Sequence, residues 1–359
     1  MIKTIYPLKD TTLYALTASM NSGIDEILDI QKEVSASGAN NHETSRILLQ
    51  FDTSTISSSL STRSIHTGSA LGSLKYYLKM FIAEEKSVPL DYTLSVHPVR
   101  ESWEMGVGRR YNVPSTKEGA SWTYRDGETV ATAWTDAGGY FHTGSHTSES
   151  THQIFSNVQG DIDIDVTNII ESFHNGTLTN NGIIVKRSGS QESDGVDYGT
   201  LSYYSKETNT IYPPRLEARY DDTPTVVTSS MTAISSNDDV KLTAQLLPEY
   251  TWKSETRIEI IAEPRFPTRS QNTAVSSTTV YNLPVSSSYS IKDVTTGETV
   301  IDYDSTGTLL AINNKHYIDV DTTSLFPERY YTIQIKVPDL IFTNSVQYFD
   351  IPTKFKVVR

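Results

Sequence analysis

Residues Asp161–Arg187 read DIDIDVTNIIESFHNGTLTNNGIIVKR, and this stretch decides the fold. It opens with Asp161, Asp163 and Asp165 at every second position. A calcium loop of the helix–loop–helix kind needs Gly at its sixth position and Glu at its twelfth. Counted from Asp161, those positions hold Val166 and Ser172, so that reading fails. Ile162, Ile164 and Val166 fill the gaps, and such alternation puts the apolar set on one face of a strand and the carboxylates on the other. Three carboxylates on one face repel unless solvated or bridged by a cation, which leaves a calcium site of another type open. Asp165 or Thr167 stands where a helix N-cap belongs. Ile169, Ile170 and Phe173 then share one helical face, Asn175-Gly176 ends the helix, and GIIVKR (Gly182–Arg187) reads as a buried strand.

Working outward, alternation dominates. SRILLQFD (Ser45–Asp52), LKYYLKMFIA (Leu74–Ala83) and YTLSVHPV (Tyr92–Val99) are further strands, rich in the aromatic and β-branched residues that suit a pleated surface. STISSSLS (Ser54–Ser61) can form a helical turn. The Ser/Thr/Gly/His-rich regions Ser54–Ser73 and Gly138–Thr151 read as long loops. YDDTPT (Tyr220–Thr225) separates two alternating runs and marks a domain boundary. Beyond it come VKLTAQLL, TRIEIIAE, a hairpin YSIKDVTTGETVIDY turning at Thr-Thr-Gly-Glu, and TSLFPERYYTIQIKV. The chain is therefore expected to be all-β. A jelly-roll-like sandwich with one short helix occupies residues 1–222, and an immunoglobulin-like sandwich occupies residues 223–359. Tyr331, just after Phe-Pro-Glu-Arg, is placed to bond back to the turn backbone as a tyrosine corner does.

The bulk numbers narrow the function. A chain of 359 residues can bury two cores. Its formal net charge of −13 opposes phosphate backbones, so nucleic acid is not an expected partner. With no cysteine, disulfides, thiol catalysis and Cys-bound zinc are excluded. The opening MIKTIYPLKDTTLY lacks the apolar segment of a secretory signal, and no run approaches the ~20 apolar residues of a membrane helix. No membrane partner is expected.

Three candidate chemistries remain. His142, His146 and His152 sit in FHTGSHTSESTHQ at spacings zinc could use, but no helical stripe and no H-E-x-x-H glutamate accompany them. A polar loop is the expectation. Paired catalytic carboxylates cannot be ranked among 43 acidic residues, and neither a nucleophile elbow nor a phosphate-binding loop is visible. Trp103, Trp122 and Trp134 could stack sugars, although core packing is expected for at least two of them. No catalytic residue, no metal ligand and no cofactor is assigned.

Read in order, the first 220 residues resemble the DNRLRE-type β-sandwich, also seen as a carbohydrate-binding module. The resemblance rests on KDTTLY…NSGIDEILDI, SRILLQFDTSTI, LKYYLKMFI, LDYTLSVHPVRESWEMG, SWTYRDG, TAWTDAGG, IDVTNIIESFHNGTLTNNGIIVKR and LSYYSKETNTIYPPRLEARY. The longer loops at Ser54–Ser73 and Gly138–Thr151 depart from it. YPLKDTTLY, GIDEILDI, PLDYTLSVHPVRESWEMGVGR, GASWTYRDG and ERYYTIQIKV are similar to structural proteins of large tailed bacteriophages, including those of marine cyanobacteria. The resemblance covers essentially the whole chain and carries no catalytic motif. It implies a non-enzymatic virion protein of the neck, collar or tail, made in the host cytoplasm and assembled with other virion proteins and with copies of itself. Display of a carbohydrate-binding or host-adhesion module on the particle is the alternative, with glycans as possible partners.

Overall fold

The computed structural model describes residues 2–34, 42–54, 56, 74–127, 131–143, 151–156, 160–220, 232–234, 239–266, 280–284, 286–303, 309–312, 315–338 and 345–359. It is all-β, and its two units are sandwiches. One unit comprises Ile5–Ser61 and Lys75–Ala218; the other comprises Arg219–Arg359 with Met1–Thr4 and Thr62–Leu74. The expected boundary at 222/223 falls outside the described residues, and the units divide at 218/219 instead. The chain's first residues also move to the second unit. Ile2 is buried in the C-terminal core, and the Thr4 N–H lies 3.5 Å from Thr323 Oγ1.

The large sheet of the first unit runs His152–Phe155, Tyr92–Pro98, Ile183–Arg187, His42–Phe51, Ile27–Val34, Gly199–Tyr204, Ile82–Lys86, with Pro7–Tyr14 also paired to His42–Phe51. The ten-residue His42–Phe51 strand pairs with Ile27–Val34 through its first residues and with Ile183–Arg187 through Ile47–Leu49. In the second sheet Arg215–Arg219, Lys75–Met80 and Ile162–Asp165 lie side by side. The single strand expected over Leu74–Ala83 is in fact two. Lys75–Met80 belongs to one sheet and Ile82–Lys86 to the other. Phe81 makes the corner, its ring lying 4.8 Å from the Arg215 guanidinium and 5.3 Å from Tyr212.

The deciding stretch folds largely as its pattern requires. In the strand Ile162–Asp165, Ile162 and Ile164 are buried and Asp163 is exposed. The helix spans Thr167–His174 and buries Ile169 and Ile170, each worth roughly 1.5–3 kcal/mol of burial. Phe173 is half-buried, and Ser172 takes the buried place beside the isoleucines. The cap also differs from expectation. Val166 occupies the N-cap position and makes no side-chain cap bond. Asp165 works from one residue further out, its Oδ1 accepting the Thr167 N–H at 2.9 Å. Thr167 Oγ1 instead accepts the N–H of Tyr76 at 3.0 Å, tying the helix start to the neighbouring strand. Gly176, at φ +75, supplies the left-handed turn that ends the helix.

A second helix, Gly189–Ser193, corrects the expectation of one; Gly-Ser-Gln-Glu-Ser buries no residue and so leaves no apolar stripe to read. Of the Ser54–Ser61 turn, Ser54 and Ile56 are helical and Ile56 is buried; the other residues lie outside the described ones, as do 57–73 and 144–150 of the two expected long loops.

The second unit packs the sheet Val240–Gln245, Glu255–Pro264, Lys315–Asp321, Leu310–Ile312 with the sheet Glu249–Thr251, Phe355–Val358, Arg329–Pro338, Ser288–Asp293, Thr299–Ile301. Ile258, Ile260, Ile291, Ile318, Ile333, Ile335 and Val357 form its core. The short Glu249–Thr251 strand runs parallel to the last strand, Phe355–Val358, and every other strand pair within these two sheets is antiparallel. Buried Tyr331 makes the expected corner: its hydroxyl donates to the Phe326 carbonyl at 3.0 Å and accepts the Phe326 N–H at 2.7 Å. The expected hairpin turns at Gly297, φ +74, with Asp293 Oδ1 accepting the N–H groups of Thr295 and Thr296.

Candidate functional site

The three aspartates do not converge on one ion. Asp161 Oδ1 accepts the Ile82 N–H at 2.8 Å. Asp163 stands opposite Lys79 in register, and the charges lie 4.0 Å apart. Asp165 serves the helix start. Lys79 also lies 3.6 Å from Glu217. Among the described residues no group of three or more His, Asp or Glu side chains is arranged to hold a metal ion.

The histidines are separated likewise. His142 Nδ1 accepts from Arg100 Nε at 3.2 Å, His152 sits in the sheet opposite Ser95, and His146 lies outside the described residues. The tryptophans are structural. Trp103 and Trp134 are buried, with Nε1 donating to the Asn181 and Ser121 carbonyls, each at 2.9 Å. Trp122 is half-buried with the Arg46 guanidinium 4.9 Å from its ring centre.

Two other constellations hold the chemistry-bearing side chains together. The first is a set of cations, three buried and one, Arg46, half-buried. Lys32, Arg46, Lys186 and Arg187 all lie on strands of the large sheet, and Ser188–Asp194 supplies much of what neutralises them. Arg46 Nε and Nη2 each donate to Glu192 at 2.9 Å, and Lys186 Nζ lies 2.7 Å from the same carboxylate. Lys32 Nζ donates to the Gln191 carbonyl and, at 2.6 Å, to both the carbonyl and the carboxylate of Asp194. Arg187 is 1% exposed, donates through Nη2 to the Tyr198 carbonyl, and lies between the Tyr92 and Tyr198 rings. Burial pulls its pKa down to about 10 despite the tyrosines around it. Burial and the Lys186 charge pull His97 down to about 4. These bonds tie the sheet to Ser188–Asp194.

The second constellation is a groove. Asn21 builds its frame. Its Nδ2 donates to the Met105 and Ala120 carbonyls, both at 2.8 Å, and its Oδ1 accepts from the Gly23 and Gly108 N–H groups. Three of these four bonds go to one loop, through Met105, Gly108 and Ala120. The approach is close: a Cβ on Gly108 would lie 2.3 Å from the Asn21 carbonyl oxygen. The loop so pinned delivers Arg110 and Tyr111.

Arg110 donates from its backbone to Asp25 at 2.9 Å, from Nη1 to Asp29 at 2.5 Å and from Nη2 to Gln31 at 3.2 Å. Gln31 Nε2 passes the row on to Glu43 at 2.8 Å. Tyr14 and Ser202 also donate to Asp29, at 2.7 and 2.6 Å. The guanidinium lies 4.4 Å from the Tyr14 ring centre and 5.5 Å from that of Tyr111. Burial raises the Tyr14 phenol well above its usual range, and the Asp29 charge adds to this. Tyr14, Leu16, Thr17, Met20, Gln31, Glu43, Thr44, Arg110 and Tyr111 enclose about 240 Å³.

Sequence reasoning assigned neither constellation. The cations had a signal: Leu28, Ile30 and Lys32 alternate on one face, so the lysine shares the apolar side. The groove had less, only Arg-Arg-Tyr between Gly108 and Pro114. Compared with known proteins, the chain matches no family model and no curated protein.

Proposed function

We propose that the chain is a non-enzymatic structural component of a tailed-phage virion, in the neck, collar or tail, assembling through protein–protein contacts. The resemblance of its sequence to such proteins supplies the class. The observation that carries the assembly role is one strand, Val346–Asp350. It pairs on one side with Arg329–Pro338, and no other strand among the described residues pairs with it. An open edge is a template for pairing with another chain, and proteins that must stay apart guard such edges with charge. Ile82–Lys86, the end strand of the large sheet, is guarded in that way by Glu84, Glu85 and Lys86. Val346–Asp350 reads Val-Gln-Tyr-Phe-Asp, with Val346 44% and Tyr348 56% exposed. The expected result is a fixed number of copies per particle when gradient-purified virions of the phage that encodes this chain are quantified by mass spectrometry. Absence from purified particles overturns the reading.

A further inference from the structure

We propose that Asn175 is a site of spontaneous covalent modification, where the side chain condenses with the Gly176 nitrogen and the residue becomes aspartate or isoaspartate. The inference concerns the chain itself and does not depend on its place in a particle.

The chemistry starts from sequence. The chain holds two Asn-Gly pairs, Asn175-Gly176 and Asn181-Gly182. Such a pair is prone to ring closure, because glycine has no Cβ to shield its nitrogen and its backbone turns freely. The glycine nitrogen gives up its proton to water or hydroxide and bonds to the asparagine Cγ. The Cγ–Nδ2 bond breaks, and ammonia leaves with a proton taken from water. Water then adds to one of the two carbonyls of the resulting succinimide. Breaking the bond between the ring nitrogen and Cγ gives aspartate. Breaking the bond between that nitrogen and the backbone carbonyl carbon gives isoaspartate. Water is the one co-reactant. Sequence ranks the two pairs equally.

The structure separates them. Asn175, Gly176 and Thr177 follow the helix Thr167–His174 and are all exposed. A Cβ on Gly176 would meet nothing within 4 Å. Ring closure rotates the Asn175 Cα–C bond until the Gly176 nitrogen faces Cγ. Two hydrogen bonds must yield: Gly176 N–H to the Phe173 carbonyl at 3.3 Å, and Thr177 N–H to Asn175 Oδ1 at 2.9 Å. The first is already long, and both lie at a helix end, where opening costs least. Beyond them, buried Leu178 donates its N–H to the Ser172 carbonyl at 3.0 Å, so the rearrangement stops there.

Asn181 is held from every side. Its Nδ2 donates to the Arg100 carbonyl at 2.8 Å, and its own carbonyl accepts from buried Trp103 at 2.9 Å. The Gly182 N–H is bonded to Asn180 Oδ1 at 3.2 Å, and the Gly182 carbonyl accepts the Val99 N–H at 2.9 Å. Gly182 is buried, and a Cβ there would lie 2.3 Å from the Leu49 carbonyl oxygen. The same rotation would drag Ile183 from its place between Leu49 and Pro98, which requires the sheet to open locally. The Asn175 product, by contrast, adds one carboxylate at the C-terminal end of a helix, where the dipole is already negative, and so loosens that end further.

The test is a time course on the full folded chain in warm, mildly alkaline buffer, quenched with acid and digested with chymotrypsin. Cleavage after Phe173 and Leu178 places the two asparagines in different peptides. Mass spectrometry and isoaspartate methyltransferase labelling then read each one. The expected result is conversion at Asn175 at least about tenfold faster than at Asn181, the factor set by their different costs of local opening. In urea the two should convert at similar rates. Asn175→Gln should silence the first peptide and leave the thermal midpoint unchanged, since the side chain is exposed. Asn175 left intact in the folded chain, over a time that converts it in urea, overturns the proposal. So does conversion of Asn181 in the folded chain as fast as that of Asn175.

Discussion

Asp10 shows how much a single buried atom can govern. Its Oδ2 accepts the Lys206 N–H at 2.6 Å, while Oδ1 is buried with no hydrogen-bond partner among the described residues. Burial pushes the carboxyl up to about 7, against the opposing Lys206 N–H and charge. An acid whose folded pKa is raised holds its proton more tightly when folded, so its contribution is complete below its ordinary value near 3.8 and is lost as pH rises through about 7. The amount is on the order of 4 kcal/mol at about 1.4 kcal/mol for each pH unit. Asp10→Asn cannot ionise and should be more stable than wild type at pH 8, with the difference shrinking toward pH 4. Urea unfolding at both pH values reads this, and an equal difference at both would show that Asp10 is already ionised in the fold. Tyr331 gives a second residue-level prediction. Tyr331→Phe keeps the buried ring against Phe355 but removes both bonds to Phe326, and should cost about 1 kcal/mol or somewhat more. Unchanged stability in Tyr331→Phe would mean that water replaces the corner without loss.

Among the elements, the helix Gly189–Ser193 depends on the charges beneath it. With no buried residue of its own, it is held by Glu192, Gln191 and the Ser188 cap, whose Oγ accepts the Gln191 N–H. The dependence runs both ways, because buried Lys186 and half-buried Arg46 share the Glu192 carboxylate. Glu192→Ala leaves both uncompensated and should destabilise by about 3–5 kcal/mol, the range for stripping one partner from a buried ion pair. Adding Lys186→Met should restore part of that loss. A cost below about 1 kcal/mol for the single variant would show that solvent reaches the pair. The contrast with the Thr167–His174 helix explains what the sequence makes legible. Ile162, Ile164, Ile169 and Ile170 announce their burial because apolar residues at period 2 or 3.6 have one stable place to go. A Gly-Ser-Gln-Glu-Ser helix announces nothing, since it buries no apolar stripe and two of its partners, Lys32 and Arg46, lie far away in sequence. The groove is hidden for the same reason: Asp29, Gln31, Glu43 and Arg110 meet only once two strands and a loop are in place. Even Asp165 follows this rule. Its role near the helix start was legible, but its exact position was not, because Tyr76 claims the Thr167 hydroxyl.

At the scale of the molecule, each unit has its own core and its own way of treating an open edge. Stability is secured inside each sandwich, so Val346–Asp350 contributes little that the C-terminal core does not already hold in Ile333, Ile335, Val337 and Phe355. The outward residues of that strand can therefore be changed without emptying the core. Val346→Lys with Tyr348→Lys copies onto this edge the charge that Glu84, Glu85 and Lys86 place on Ile82–Lys86. Surface changes of this kind usually shift stability by about 0.5 kcal/mol or less, although loss of the ring contact between Tyr303 and Tyr348 can add to that. The doubly substituted chain should keep its thermal midpoint within a few degrees of wild type. In a phage carrying the substitutions it should be depleted from purified particles while remaining abundant in the lysate. Those two readouts separate a broken contact from a broken fold. Incorporation at the wild-type copy number would show that Val346–Asp350 is not the docking edge and would move the assembly surface elsewhere on the chain.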